Sequence, residues 1–102
     1  MSWEKICLPS EIPLGAKKDF KIKDHHILVY HLESGWKASV IRCPHAGAMM
    51  HICEVENDCI ECCFHGWVFD LDTGACRFPE GGPSLKVFPT ELRQDGIYVN
   101  LS

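Results

Sequence analysis

No apolar run in this 102-residue chain approaches the length a helix needs to cross a bilayer. The N-terminus, Met1-Ser2-Trp3-Glu4-Lys5-Ile6-Cys7, has no basic start followed by a long apolar stretch, so no signal peptide is expected. Basic residues are in deficit. Ten Lys and Arg face fourteen Asp and Glu, for a formal net charge of −4. That balance argues against nucleic acid or an anionic membrane as a partner. It suits steering towards a basic docking patch instead. Repeats, low-complexity segments and linkers are absent, and the length fits one domain spanning 1–102. No catalytic base, nucleophile or open substrate site is evident, so the chain alone is not expected to be an enzyme.

Helix-period segments are scarce as well. What remains is a series of short β-type runs separated by turn residues. Runs are expected at Trp3 to Cys7, Ala16 to Ile22, His26 to Leu32, Trp36 to Arg42, Asp58 to Cys62, Trp67 to Leu71, Lys86 to Leu92 and Ile97 to Leu101. Glu33-Ser34-Gly35, Asp72-Thr73-Gly74 and Gln94-Asp95-Gly96 read as hairpin turns. Many short strands with frequent turns indicate an all-β sandwich or barrel.

Cysteine, by contrast, is abundant, with seven in the chain. Two of them sit in unusual company. Cys43-Pro44-His45 is followed after sixteen residues by Cys62-Cys63-Phe64-His65. Each half offers one thiolate and one imidazole from a tight loop, and in this scheme both loops sit at hairpin tips. Cys43 and Cys62 would bind one iron of a two-iron cluster, His45 and His65 the other. Neutral imidazoles remove two negative charges relative to four thiolates, which raises the reduction potential. Tetrahedral zinc also accepts two Cys and two His, although structural zinc sites usually draw like ligands in pairs. A colourless zinc-stabilised interaction module therefore stays open beside the cluster reading. The remaining cysteines, Cys7, Cys53, Cys59, Cys63 and Cys76, are odd in number, so they cannot all pair within the chain. Free thiols in a reducing cytoplasm are the simpler expectation.

The segment Cys62-Cys63-Phe64-His65-Gly66-Trp67-Val68-Phe69-Asp70, with Thr73-Gly74 behind it, resembles the second motif of Rieske proteins. More narrowly, it is similar to the Rieske ferredoxins of bacterial ring-hydroxylating oxygenase systems. Cys43-Pro44-His45 matches the first motif, and Trp3-Glu4-Lys5-Ile6-Cys7 and Asp95-Gly96-Ile97-Tyr98-Val99 resemble family termini. The resemblance implies three antiparallel sheets with a small cluster-binding subdomain at approximately 43–83. It implies a 2Fe-2S cluster on Cys43, His45, Cys62 and His65, with the loop around Gly82-Pro83 as a third cover. It also implies a monomeric one-electron carrier between an NAD(P)H-dependent flavoprotein reductase and a terminal oxygenase. A small Rieske-like subunit of an assimilatory nitrite reductase is the alternative of similar size. Oxygenation by the chain itself is not expected, because 102 residues leave no room for a mononuclear iron domain.

Two departures from the family pattern stand out: Cys63 replaces a common Pro, and the first loop ends in apolar Ala48-Met49-Met50. High-potential members join the two loops by a disulfide and aim Ser and Tyr hydroxyls at the cluster. The matching positions here are Ala48 and Phe64, and Trp67 and Phe69. The disulfide and both hydroxyls are therefore missing, which predicts a potential at the low end, roughly −150 mV.

Other residues carry weaker expectations. Glu54, Glu56, Asp58, Glu61, Asp70 and Asp72 form either an acidic docking collar or a solvated strand edge. Lys17, Lys18, Lys21 and Lys23 suit a wet strand face. Cys53, Cys59 and Cys76 suit buried fillers. His25, His26, His31 and His51 are expected to be exposed without partners, and Trp67, Phe69 and Phe78 to lie in the core.

Overall fold

The computed structural model describes residues 3–44, 47, 49–62 and 66–101. Among them lie eleven strands and a single 3₁₀ turn at Pro9–Glu11, with no α-helix. The strands form three antiparallel sheets.

The middle sheet explains the arrangement. It runs β2 (Lys17–Ile22), β3 (His25–Leu32), β4 (Gly35–Val40) and β9 (Val87–Phe88) in that order. In β3 the run Ile27-Leu28-Val29-Tyr30 is buried on both faces. Successive side chains of a strand point to opposite faces. Leu28 and Tyr30 accordingly enter one apolar layer, and Ile27 and Val29 enter another. Each fully buried aliphatic side chain contributes about 1.5–3 kcal/mol.

The Ile27–Val29 side packs against the sheet of β1 (Trp3–Cys7), β11 (Gly96–Asn100) and β10 (Thr90–Arg93), through Cys7, Ile97 and Val99. The Leu28–Tyr30 side packs against β5 (Val55–Glu56), β6 (Cys59–Cys62), β7 (Trp67–Asp70) and β8 (Cys76–Phe78), through Ile60, Cys62, Phe69 and Cys76. Tyr30 is fully buried, and its hydroxyl meets Ser39 Oγ at 2.8 Å.

One expected run is divided. Lys86 to Leu92 reads as a single strand, yet Pro89 separates β9 in the middle sheet from β10 in the first. Proline has no N–H to give to a continuing ladder. Strand β5, strand β8 and the 3₁₀ turn are too short to show a period, and the sequence reading did not include them.

The β5–β8 sheet is tied to the middle one at several points. Ser34 Oγ–H, from the β3–β4 turn, donates to Asp58 at 2.9 Å, and Lys37 of β4 bonds Asp72. Gly74 is needed where the chain returns. A Cβ there would fall 2.0 Å from the Leu85 carbonyl oxygen, and its φ is +82°. Leu85 N–H in turn donates to Gly74 C=O at 2.7 Å.

Candidate metal centre

Cys43 lies just beyond β4, on a loop closed by an antiparallel bridge between Arg42 and Met49. Cys62 is the last residue of β6 and stands opposite Trp67 in β7. Both cysteines are almost fully buried, at 1% and 0% exposure, in one apolar layer with Ile41, Met50, Ile60 and Phe69.

The two turns have matching backbones. Gly47 N–H donates to Cys43 C=O at 2.7 Å, and Gly66 N–H donates to Cys62 C=O at 2.7 Å. Gly47 has φ +71° and Gly66 φ +72°, a left-handed geometry that a side chain disfavours. Each cysteine thus opens a five-residue turn closed by a glycine. The sequence carries this signal as a Gly four residues after each Cys, and the motif reading passed over it.

His45, Ala48, Cys63, Phe64 and His65 lie outside the described residues. Their positions in the chain still put one imidazole inside each five-residue turn. The donor chemistry fits an iron–sulfur cluster. Two thiolates facing one dry layer would be costly as bare anions, and ligation to ferric iron neutralises them. Among the described residues no group of three or more His, Cys, Asp or Glu side chains could hold a metal ion.

The loop at Gly82 backs this end of the sheet. A Cβ on Gly82 would lie 2.9 Å from the Trp67 ring and 2.9 Å from Cys76 Sγ. The loop therefore rests on the residue that pairs with Cys62. Phe69 is fully buried and has no donor to offer, while Trp67 is half-buried.

Several single-residue expectations change. His26 is half-buried and meets Asp19 Oδ2 at 2.9 Å, which holds the Asp19 carboxyl below its ordinary value. His31 stacks on Trp36 at 3.9 Å and meets Ile12 C=O at 2.8 Å; His25 packs edge-on against Phe88. Only His51 of the four is exposed. Cross-strand partners cause the difference, and a linear pattern does not display them. Phe78, expected in the core, is 64% exposed, because its strand position faces outward opposite Val68.

Cys53 and Cys76 are buried as expected, and Cys59 is only half-buried. Cys7, Cys59 and Cys76 are free thiols. Burial pushes the Cys7 and Cys59 thiols up, helped by Glu11 at Cys7 and by Asp70 at Cys59. Of the acidic collar, Asp70 is buried against Arg77 at 2.6 Å and its carboxyl is held low, first by that bond. Asp72 pairs with Lys37. Glu54, Glu56 and Glu61 stay exposed and form no ion pair among the described residues. Grooves on the protein flank the β5–β8 sheet, one of about 640 Å³ along Leu14, Glu33, Glu56 and Asp58 and one of about 450 Å³ along Glu54, Glu56, Cys59, Glu61 and Val68.

Three layers of antiparallel sheet, with one Cys-to-Gly turn beyond β4 of the middle sheet and an equivalent one between β6 and β7, define a small iron–sulfur protein. The Rieske [2Fe-2S] domain matches residues 2–89, and the chain belongs to that family. Its cofactor is a Rieske 2Fe-2S cluster, for which two Cys and two His are the family's ligands. Ferredoxin CarAc of Metapseudomonas resinovorans is 29% identical over 101 residues, covering 95% of this chain and 92% of that protein. The cholesterol 7-desaturase nvd 1 of Ciona intestinalis is 38% identical over 77 residues, covering 72% of this chain and 16% of that protein. This chain spans a quarter or less of several curated relatives that it matches. A solved complex of reduced oxygenase and oxidized ferredoxin in carbazole 1,9a-dioxygenase contains a chain that superposes with a TM-score of 0.85. That chain is 27% identical, and the match covers 96% of this protein and 92% of it. No helix among the described residues is long and apolar enough to cross a membrane.

Proposed function

We propose that the chain is a one-electron carrier that takes electrons from an NAD(P)H-dependent flavoprotein reductase and passes them to a terminal oxygenase. The observation that carries this reading is the pair of matched Cys-to-Gly turns, in a chain that aligns over 95% of its residues with 92% of a ferredoxin. Cys43 and Cys62 hold one iron and His45 and His65 the other. The cluster-binding unit is the segment 43–83, which contains the whole β5–β8 sheet. The protein works as a monomer in the cytoplasm and catalyses no reaction by itself.

When bound, the cluster takes up and releases one electron. The chain's own residues do the rest. The glycine N–H groups fix the backbone on which each ligand stands. The apolar layer of Ile41, Met50, Ile60 and Phe69 keeps water from the two cysteines. Phe69 donates no hydrogen bond, and withheld donors leave electron density on sulfur, so the potential is low.

The test is iron and acid-labile sulfide analysis of anaerobically purified protein, together with its visible spectrum. Two irons and two sulfides per chain are expected. Colourless protein with one zinc per chain would overturn the proposal.

A further inference from the structure

On the outer face of the β5–β8 sheet Glu61 and Phe78 are exposed and Val68 is half-buried, and the face's composition is uneven. Val68 stands opposite Glu61 on one side and opposite Phe78 on the other. Glu61, Val68 and Phe78 therefore make one row across three strands. That row is one residue, about 3.4 Å, back from the Cys62–Trp67 row. Phe78 is 64% exposed at its edge. Beyond Glu61 the face opens into the groove of about 450 Å³ that Glu54 and Cys59 also line.

The charge of the whole molecule points the same way. Residues 43–83 carry seven Asp and Glu against a single Arg, whereas the rest of the chain carries seven against nine Lys and Arg. The lone Arg77 is already bound to Asp70. The carboxylates of Glu54, Glu56 and Glu61 form no ion pair among the described residues. An exposed aromatic in one row with Glu61, on the sheet that carries Cys62, suits an anchor-and-rim contact.

We infer that this face docks a redox partner protein whose contact surface carries Lys or Arg side chains around an apolar recess. Phe78 and Val68 enter the recess, and Glu54, Glu56 and Glu61 meet the basic rim. The inference rests on the electron-carrier reading and deepens it. A second copy of this chain fits poorly, because it would bring the same carboxylates against each other.

The experiment uses the reduced, cluster-loaded protein with mitochondrial cytochrome c, a basic one-electron acceptor, in a stopped-flow instrument. Four forms are compared: the parent, Phe78→Ala, Glu54→Gln/Glu61→Gln, and a charge-matched control on other faces, Asp24→Asn/Asp95→Asn. Each is first checked for an unchanged paramagnetic signal and potential. At low salt the glutamate double variant is expected to slow electron transfer about tenfold and to lose most of its salt dependence. Phe78→Ala is expected to slow transfer about fivefold with its salt dependence intact. Equal losses in the glutamate variant and the control would overturn the inference, since net charge alone would then decide. So would full-rate transfer by Phe78→Ala, or sedimentation showing a Phe78-dependent dimer. If Phe78→Ala does not fold, the glutamate variant against its control decides. A parent that holds no Rieske cluster would instead sink the underlying carrier reading.

Discussion

Gly47 and Gly66 are small residues with large structural consequences, because each closes the turn that a cysteine opens. Among the described residues neither has another atom near enough to obstruct a methyl group: none lies within 4 Å at Gly47, and at Gly66 the nearest, from Glu61, is 3.9 Å away. Substitution by Ala therefore costs only the left-handed backbone, about 1 kcal/mol. Gly74→Ala is different, since its methyl would meet the Leu85 carbonyl. Urea melts of cluster-loaded protein should show Gly47→Ala shifted modestly and Gly74→Ala shifted far more or failing to fold. Similar midpoints for the two would contradict the geometry. Tyr30→Phe should cost about 1 kcal/mol in the same assay, through loss of its buried bond to Ser39. At this scale the sequence displays ligand chemistry well, because Cys and His in the same short turns have few competing uses. It displays pairings poorly. His26 finds Asp19 only because β2 and β3 bring them together, and Phe78 faces water only because a ladder sets its side.

At the scale of elements, the turn after β7 shows how a side chain can do backbone work. Asp70 Oδ1 accepts from the N–H of Asp72 at 2.7 Å and of Thr73 at 3.2 Å, while Oδ2 accepts from Arg77. These bonds lower the Asp70 pKa from its ordinary 3.8, so its stabilising contribution is complete above that value. The contribution is lost as pH falls through the depressed folded value. Thermal melts between pH 2 and 6 should therefore show an acid limb below about pH 4 that Asp70→Asn flattens. A limb of the same depth in the variant would assign acid loss to other carboxylates. Most strands were legible, because short runs of β-forming residues are bounded by turn residues. The strand pair divided at Pro89 was not, since apolar content continues across the proline while hydrogen bonding cannot. Strands of two or three residues, such as β5 and β8, show no period at all.

For the whole molecule, the middle sheet is buried on both faces, so the fold has two apolar layers, and Cys43 and Cys62 belong to only one of them. Removing the cluster should then loosen the layer shared with β5–β8 and spare the layer shared with β1, β10 and β11. Calorimetry is expected to show a melting temperature lower by at least about 10 °C in the cluster-free protein. Amide exchange should speed up in β6 and β7 ahead of β11. Uniform loss of protection would mean that the two layers fold as one unit. The three-sheet architecture itself was legible through family resemblance, whereas the short runs and frequent turns indicated only an all-β chain. Which strand sits at the centre becomes visible only when the burial of Ile27 to Tyr30 on both faces is seen.

The most direct test of the central claim is a redox titration of anaerobically purified protein, followed by electron paramagnetic resonance. The account predicts a rhombic signal of the Rieske type that appears on reduction at roughly −150 mV. No such signal, in colourless protein that contains zinc, would contradict the electron-carrier reading. The same signal at a clearly positive potential would keep the cluster and contradict the low-potential argument built on Trp67 and Phe69.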